Sequence, residues 1–187
     1  LSGEHFWCQG YSEPDSGSDL ASLQMSAIAD GDDFICNGAK IWTTHADCAN
    51  WVFCLVRTTR GNKPQQGITF LLIDMTAPGI EVKPIVGLTG EHIQNQIFFT
   101  DVRVPKRNVV GNIDDGWTVA KYLLEFERGG TAYAPGLQNR LREIRQFAAE
   151  VPASHGGSLL EDPLFAAKLA LAATRITALE VYELQAM

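Results

Sequence analysis

The chain has little of what most ligand-binding signatures are built from. Its 187 residues hold four cysteines, Cys8, Cys36, Cys48 and Cys54, and no two form a C-x-x-C pair. The histidines, His5, His45, His92 and His155, are scattered, so the spacing of a metal-ligand set is missing. Neither G-x-G-x-x-G nor G-K-S/T occurs, which excludes a Rossmann fingerprint and a P-loop. Positive charge is scarce: the net charge is -7 and the pI is near 5.0. No broad basic surface is implied, so neither nucleic acid nor an anionic membrane is an expected partner. The longest apolar run, Trp51 to Val56, is far too short to span a membrane. The first residues do not read as a signal peptide. The cysteines have apolar neighbours and read as reduced residues in strands, which fits a reducing, cytoplasmic compartment.

What is there is ordinary for a globular chain, 45% hydrophobic and 20% charged. It divides in two. Residues 1–114 read as β. Strand-like runs flank Asp30-Gly31-Asp32-Asp33, a hairpin signal. NWVFCLVRT and GITFLLIDM are buried strands separated by the polar loop RGNKPQQ, and TAPG is a turn. IEVKPIVG and IQNQIFFTDVRVP follow. Several short strands with turns between them predict an antiparallel β-barrel or sandwich. Residues 115–187 read as helical, giving an α+β chain. Asp114 or Asp115 can cap a helix carrying Val119, Leu123 and Phe126 on one face. Gly129-Gly130 and Pro135 interrupt it. Asp162-Pro163 starts a second long helix, whose stripe Phe165, Leu169, Ala172, Ile176 and Leu179 suits a bundle seam. Both ends are abrupt, and a piece of a longer protein is expected.

Three stretches could carry chemistry. YSEPDSGSD, Tyr11 to Asp19, holds three serines, three acidic residues, a glycine and a proline. Composition alone makes it a surface turn, or else a loop whose N–H groups and hydroxyls face a polar ligand. KIWTTHAD offers Trp42 beside Thr43 and Thr44. That is a half-buried strand end, or an aromatic wall with hydroxyls suited to a flat heteroaromatic ring. In LLEFERGG, Glu127 lies one helical turn from Leu123 and Leu124, where a carboxylate loses solvation as a general base would. A surface charge cluster reads equally well from that spacing.

Together and in this order, the stretches resemble one family. WCQGYSEPDSGSD, NGAKIWTTHADCANW, GITFLLIDMTAPGI, FFTDVRVPKRNVVG, and GW through LLEFERGG are similar to the acyl-CoA dehydrogenases over about residues 5–140. The resemblance implies the family's middle β-barrel and the first part of its C-terminal helical bundle, with FAD held in the cleft between barrel and bundle. It implies α,β-dehydrogenation of an acyl-CoA thioester to the trans-2-enoyl-CoA, with electrons passed to an electron-transfer flavoprotein. An acyl-CoA oxidase, a flavin monooxygenase or a non-catalytic partner subunit on the same fold are the alternatives.

Carried over by position, the resemblance gives Gln9, Tyr11, Ser12, Gly17 and Ser18 to the loop bordering the flavin. Ser18 would also meet the CoA part of the substrate. Trp42 would pack beside the flavin, with Thr43 and Thr44 at its polar edge. Glu125 and Arg128 match positions that hold CoA. The base is either Glu127 or a residue beyond Met187. Arg145 and Phe147 do not reproduce the family's R-x-x-F-G segment, which reaches a neighbouring subunit's FAD. The chain looks more like a bacterial subgroup that includes the large subunit of pimeloyl-CoA dehydrogenase. A homo- or hetero-oligomer is implied, in which a second chain could supply part of the FAD site. By this resemblance the chain alone is incomplete as an enzyme.

Overall fold

A computed structural model of the chain describes residues 2–129, 132–154 and 156–186, with Arg128 and Gly129 described by their backbone only. Eight strands come first: β1 (Trp7–Gly10), β2 (Ser26–Asp30), β3 (Asp33–Thr44), β4 (Trp51–Arg57), β5 (Ile68–Asp74), β6 (Ile80–Val86), β7 (His92–Pro105) and β8 (Val109–Val110). Helices α1 (Gly116–Gly129), α2 (Ala134–Glu150) and α3 (Pro163–Ala186) follow. None of these helices is long and apolar enough to cross a membrane. The chain separates into two compact units, one ending at Tyr122 and one starting at Leu123.

The α+β class read from sequence is the class observed, with one correction. The sheet is mixed and does not close. Its order is β6-β7-β3-β2-β4-β5-β8, with β1 paired to β4. Most ladders are antiparallel, but β1 runs parallel to β4, and β2 meets β4 in parallel at Ser26 and Arg57. The cause lies in the order of the chain along one edge of β4. β1 covers Trp51 to Cys54, the chain then leaves the sheet for the loop Tyr11–Met25, and β2 returns at Arg57. A strand that leaves and rejoins the same edge cannot do so through a two-residue hairpin, so parallel pairing results.

The predicted hairpin forms, with Asp30 paired to Asp33 and Gly31 in the left-handed region at φ 59°. The core lies on β3, β4, β5 and β7: Phe34, Cys36, Val52, Cys54, Leu71, Ile73, Ile97 and Val102 are all at most 2% exposed. Cys8, Cys36 and Cys54 are buried in strands, whereas Cys48 is exposed in a turn. Burial pushes the Cys8 and Cys36 thiols up to about 12 and Cys54 to about 11, so these are packing residues and poor nucleophiles.

Of the two candidate caps for α1, Asp115 accepts from the Thr118 hydroxyl at 2.6 Å. Asp114 is used elsewhere, accepting from Thr58 and Thr59 at 2.6 and 2.9 Å. The interruption foreseen near Gly129 is a full break: α1 ends there, and α2 starts with Pro135 in its first turn. Gly130 and Thr131 lie outside the described residues. Asp162 caps α3, accepting from the N–H groups of Leu164 and Phe165 at 3.0 and 2.9 Å. On α3, Leu169 is buried and Phe165, Ala172, Ile176 and Leu179 are half-buried, so the stripe read from sequence is the covered face. Glu183 of α3 accepts from the N–H groups of Tyr133 and Ala134, closing the start of α2 from a distance.

Gly116 is where α1 meets the sheet. A Cβ there would lie 2.2 Å from the Phe70 nitrogen and 2.4 Å from the Thr69 carbonyl carbon, both backbone atoms that cannot step aside. Gly116→Ala should therefore cost about 2–3 kcal/mol through forced displacement of β5, read as a lowered urea midpoint. A midpoint unchanged within error would show that the helix start yields freely.

Candidate functional site

The loop after β1 is shaped by one buried charge. Glu13 and Ser16 exchange backbone hydrogen bonds of 2.7 and 3.0 Å, closing a tight turn over Pro14-Asp15. This turns the Glu13 carboxylate inward. There Oε1 accepts from Lys40 Nζ at 2.8 Å and from the Met25 N–H at 2.9 Å, while Oε2 accepts from the Gln24 N–H at 2.6 Å. Lys40 Nζ also donates to the Tyr11 carbonyl at 3.1 Å. Lys40 is fully buried and Glu13 is 8% exposed. The geometry meets the requirement for burying charge, since both ions are paired and further hydrogen-bonded.

Two residues beyond Lys40 the β3–β7 ladder slips. Lys40 pairs with Ile97, then Thr43 with Asn95, so Ile41 and Trp42 form a bulge. The Ile41 N–H donates to the Ser12 carbonyl at 2.9 Å. Trp42 takes a left-handed conformation at φ 60° and is 61% exposed. For a bulky side chain that conformation is a real strain, of the kind that gathers at functional sites.

Loop and bulge together enclose a cavity of about 430 Å³. Gln9, Tyr11, Ser12, Trp42 and Thr44 line it, five of the residues singled out in the sequence. Trp7, Cys8, Ile41 and Phe53 complete it. Phe53 stacks parallel to Phe70 at 5.9 Å, and the Tyr11 ring stands edge-on to both. Trp7 lies 5.4 Å from Trp51, and His5 meets both edge-on. The Thr43 side chain is 1% exposed, and its hydroxyl has no hydrogen-bond partner among the described residues. Thr44 Oγ1 accepts from Gln94 at 3.1 Å.

Of the other expected residues in the first unit, Thr43, Gly17 and Ser18 do not line it. Gly17 and Ser18 are exposed on the far limb of the loop. Glu125 and Glu127 are on α1, in the second unit, and both are exposed; Leu123 and Leu124 are half-buried. The Arg128 side chain lies outside the described residues. Glu13 and Lys40 were not foreseen. Lys40 had a signal: it follows Phe34 and Cys36 at the inward positions of β3.

Aromatic walls, hydroxyls and a strained bulge suit a flat, polar-edged ring. The residues from Cys8 to Val102 match the profile of the acyl-CoA dehydrogenase middle domain, and those from 114 to 187 match the profile of the acyl-CoA dehydrogenase C-terminal domain. The chain belongs to the acyl-CoA dehydrogenase family. Members are FAD-dependent oxidoreductases. The acyl-CoA dehydrogenase IpdE1 of Mycobacterium tuberculosis is 40% identical over 97% of this chain, which matches 46% of that protein. Among solved structures, the Tcur3481–Tcur3483 steroid acyl-CoA dehydrogenase, as its G363A variant, superposes with a TM-score of 0.84 at 29% identity, over 100% of this chain and 47% of that one. The ChsE4–ChsE5 complex of Mycobacterium tuberculosis gives 0.82 at 32%, over 98% and 47%. The chain thus spans about half the length of these relatives.

The buried pair makes a direct test. Lys40→Met leaves the Glu13 charge buried without its counter-ion and should cost about 3–5 kcal/mol in urea unfolding. Adding Glu13→Gln should restore part of that, because it removes the unpaired charge while its carbonyl still accepts from one of the two loop N–H groups. A Lys40→Met variant as stable as the parent would mean that the pair does not hold the loop.

Proposed function

We propose that the protein containing this chain is an FAD-dependent acyl-CoA dehydrogenase, and that the loop-and-bulge cavity is its flavin-facing wall. Residues 1–114 serve as its middle β domain and 115–187 as the opening of its helical domain. The observation that carries the reading is the Ile41–Trp42 bulge with Thr44 just beyond it. It offers an exposed indole beside the Ser12 and Thr44 hydroxyls, in a chain of a flavin-dependent family. Those residues fit an isoalloxazine. Trp42 and Tyr11 supply flat surface, and Ser12 and Thr44 supply hydrogen bonds to its polar edge, with Thr43 packed behind them. Gln9 borders the same wall. Gly17 and Ser18 lie where the loop turns outward and would meet the cofactor's and substrate's more solvated parts. Glu125 and Arg128 would hold the CoA moiety.

When bound, FAD would supply the acceptor for the hydride leaving the substrate β-carbon. The chain's part is to bind, orient and exclude water. Glu127 would take the α-proton, which the thioester carbonyl acidifies, so that the carbon–carbon double bond forms as proton and hydride leave. Electron-transfer flavoprotein is the proposed acceptor thereafter. The free buried cysteines support a reducing, cytoplasmic setting. The ChsE4–ChsE5 complex supports a second reading of assembly: a partner dehydrogenase-like chain that completes the FAD site.

Anaerobic addition of acyl-CoAs to the full-length, FAD-loaded protein should bleach the flavin, and Glu127→Gln should slow bleaching at least about 10³-fold. Normal bleaching in that variant would move the base to a residue beyond Met187. Fast oxygen consumption with peroxide release would favour an oxidase.

A further inference from the structure

Thr44 lines the loop-and-bulge cavity and is exposed. It stands opposite Gln94 of β7 in the ladder, so the two side chains share one face of the sheet. Gln94 Nε2 donates to Thr44 Oγ1 at 3.1 Å. The other end of the amide explains this orientation. Gln94 Oε1 is buried and has no hydrogen-bond partner among the described residues. Reversing the amide would put its two N–H donors in that place and orphan both. A buried N–H without a partner is rarer than an under-used carbonyl, so the nitrogen is the end that faces Thr44.

A hydroxyl has one proton to give and two lone pairs. The Gln94 amide occupies a lone pair of Thr44 and leaves the proton unused. Among the described residues no group accepts that proton. The backbone around it is held in place. Thr43 and Thr44 pair with Asn95 and Gln94, and the His45 N–H donates to the Ile93 carbonyl at 2.8 Å. With the peptide fixed, the direction of the O–H bond is the freedom that remains, and Gln94 sets it. Gln94 does not itself line the cavity, so its influence there runs through the Thr44 hydroxyl.

We propose that Gln94 is a positioning residue for the cofactor face: its amide takes the acceptor side of the Thr44 hydroxyl and commits that hydroxyl to donate. This point of the wall then selects a ligand atom that accepts, a carbonyl oxygen or an unprotonated ring nitrogen. The polar edge of an isoalloxazine carries both. The inference rests on the reading of the cavity as the flavin-facing wall.

A thermodynamic cycle on the full-length protein tests it, with FAD affinity and the flavin absorption spectrum as readouts. Thr44→Val removes the hydroxyl and should weaken FAD binding about tenfold, the size of one lost hydrogen bond. Gln94→Glu replaces the donor by a carboxylate that draws the Thr44 proton to itself. It should also cost about tenfold and give the same altered spectrum. In the Thr44→Val background Gln94→Glu should cost nothing more, because the proton it diverts is already gone. A further tenfold loss in that background would overturn the inference and leave Thr44 as a contact. So would a Gln94→Glu variant that binds FAD as tightly as the parent while Thr44→Val does not. Unchanged affinity in Thr44→Val would overturn the cofactor reading of Thr44, and this inference with it. If Gln94→Glu does not fold, Gln94→Leu enters the same cycle. It frees the hydroxyl among its three staggered positions and should cost about threefold, again only while Thr44 is present. A parent-like Gln94→Leu, or a loss that persists beside Thr44→Val, would overturn the inference in the same way.

Discussion

A lysine ammonium with no exposure to solvent lies 2.8 Å from the Glu13 carboxylate, and the candidate site is built around that contact. Burying two charges is costly, and the cost is offset only when each finds its full set of partners. Here the partners are backbone groups of the loop itself: the carbonyl of Tyr11 and the N–H groups of Gln24 and Met25. The pair therefore folds both limbs of the loop onto β3, and the chain between them has to leave the sheet. That excursion separates β1 from β2 along β4, and both meet β4 in parallel.

The same contact sets what lies on each side of it. Gly10 precedes the loop with no room for a side chain: a Cβ would come within 2.7 Å of Cys54 Sγ and 3.0 Å of Val52 Cγ2. On the β3 side the bulge starts directly after Lys40, and its Ile41 N–H is satisfied by Ser12 of the loop. Loop and bulge hold each other in place through that bond. The strain at Trp42 is supported from the loop on one side and from β7 on the other. A rigid wall carrying a few converging polar groups is what binding a flat cofactor requires.

Much of this was legible in sequence, and the gaps have physical reasons. The Asp30–Asp33 hairpin and the Asp162-Pro163 helix start were readable because turn and cap chemistry is local. Tyr11, Ser12, Trp42 and Thr44 were placed by a resemblance spread over several stretches, not by periodicity. Glu13 was missed because its meaning depends on a partner far along the chain, Lys40. A glutamate before proline in a polar loop looks solvated until the loop folds back. The parallel pairing of β1 was hidden for the same reason, since nothing in WCQG says which strand it will join. Glu127 is a different case: a helical position is desolvated only by what packs over it, and these 187 residues leave it exposed.

The central claim is that the cavity between the YSEPDSGSD loop and the Ile41–Trp42 bulge is the wall against which the flavin ring lies. A crystal structure of the full-length protein with FAD tests it most directly. The account predicts an isoalloxazine in contact with Trp42, with the Ser12 and Thr44 hydroxyls within hydrogen-bond distance of its polar edge, and with the Glu13–Lys40 pair intact behind them. A flavin ring seated elsewhere, with the loop-and-bulge cavity facing solvent or a partner chain, would contradict it.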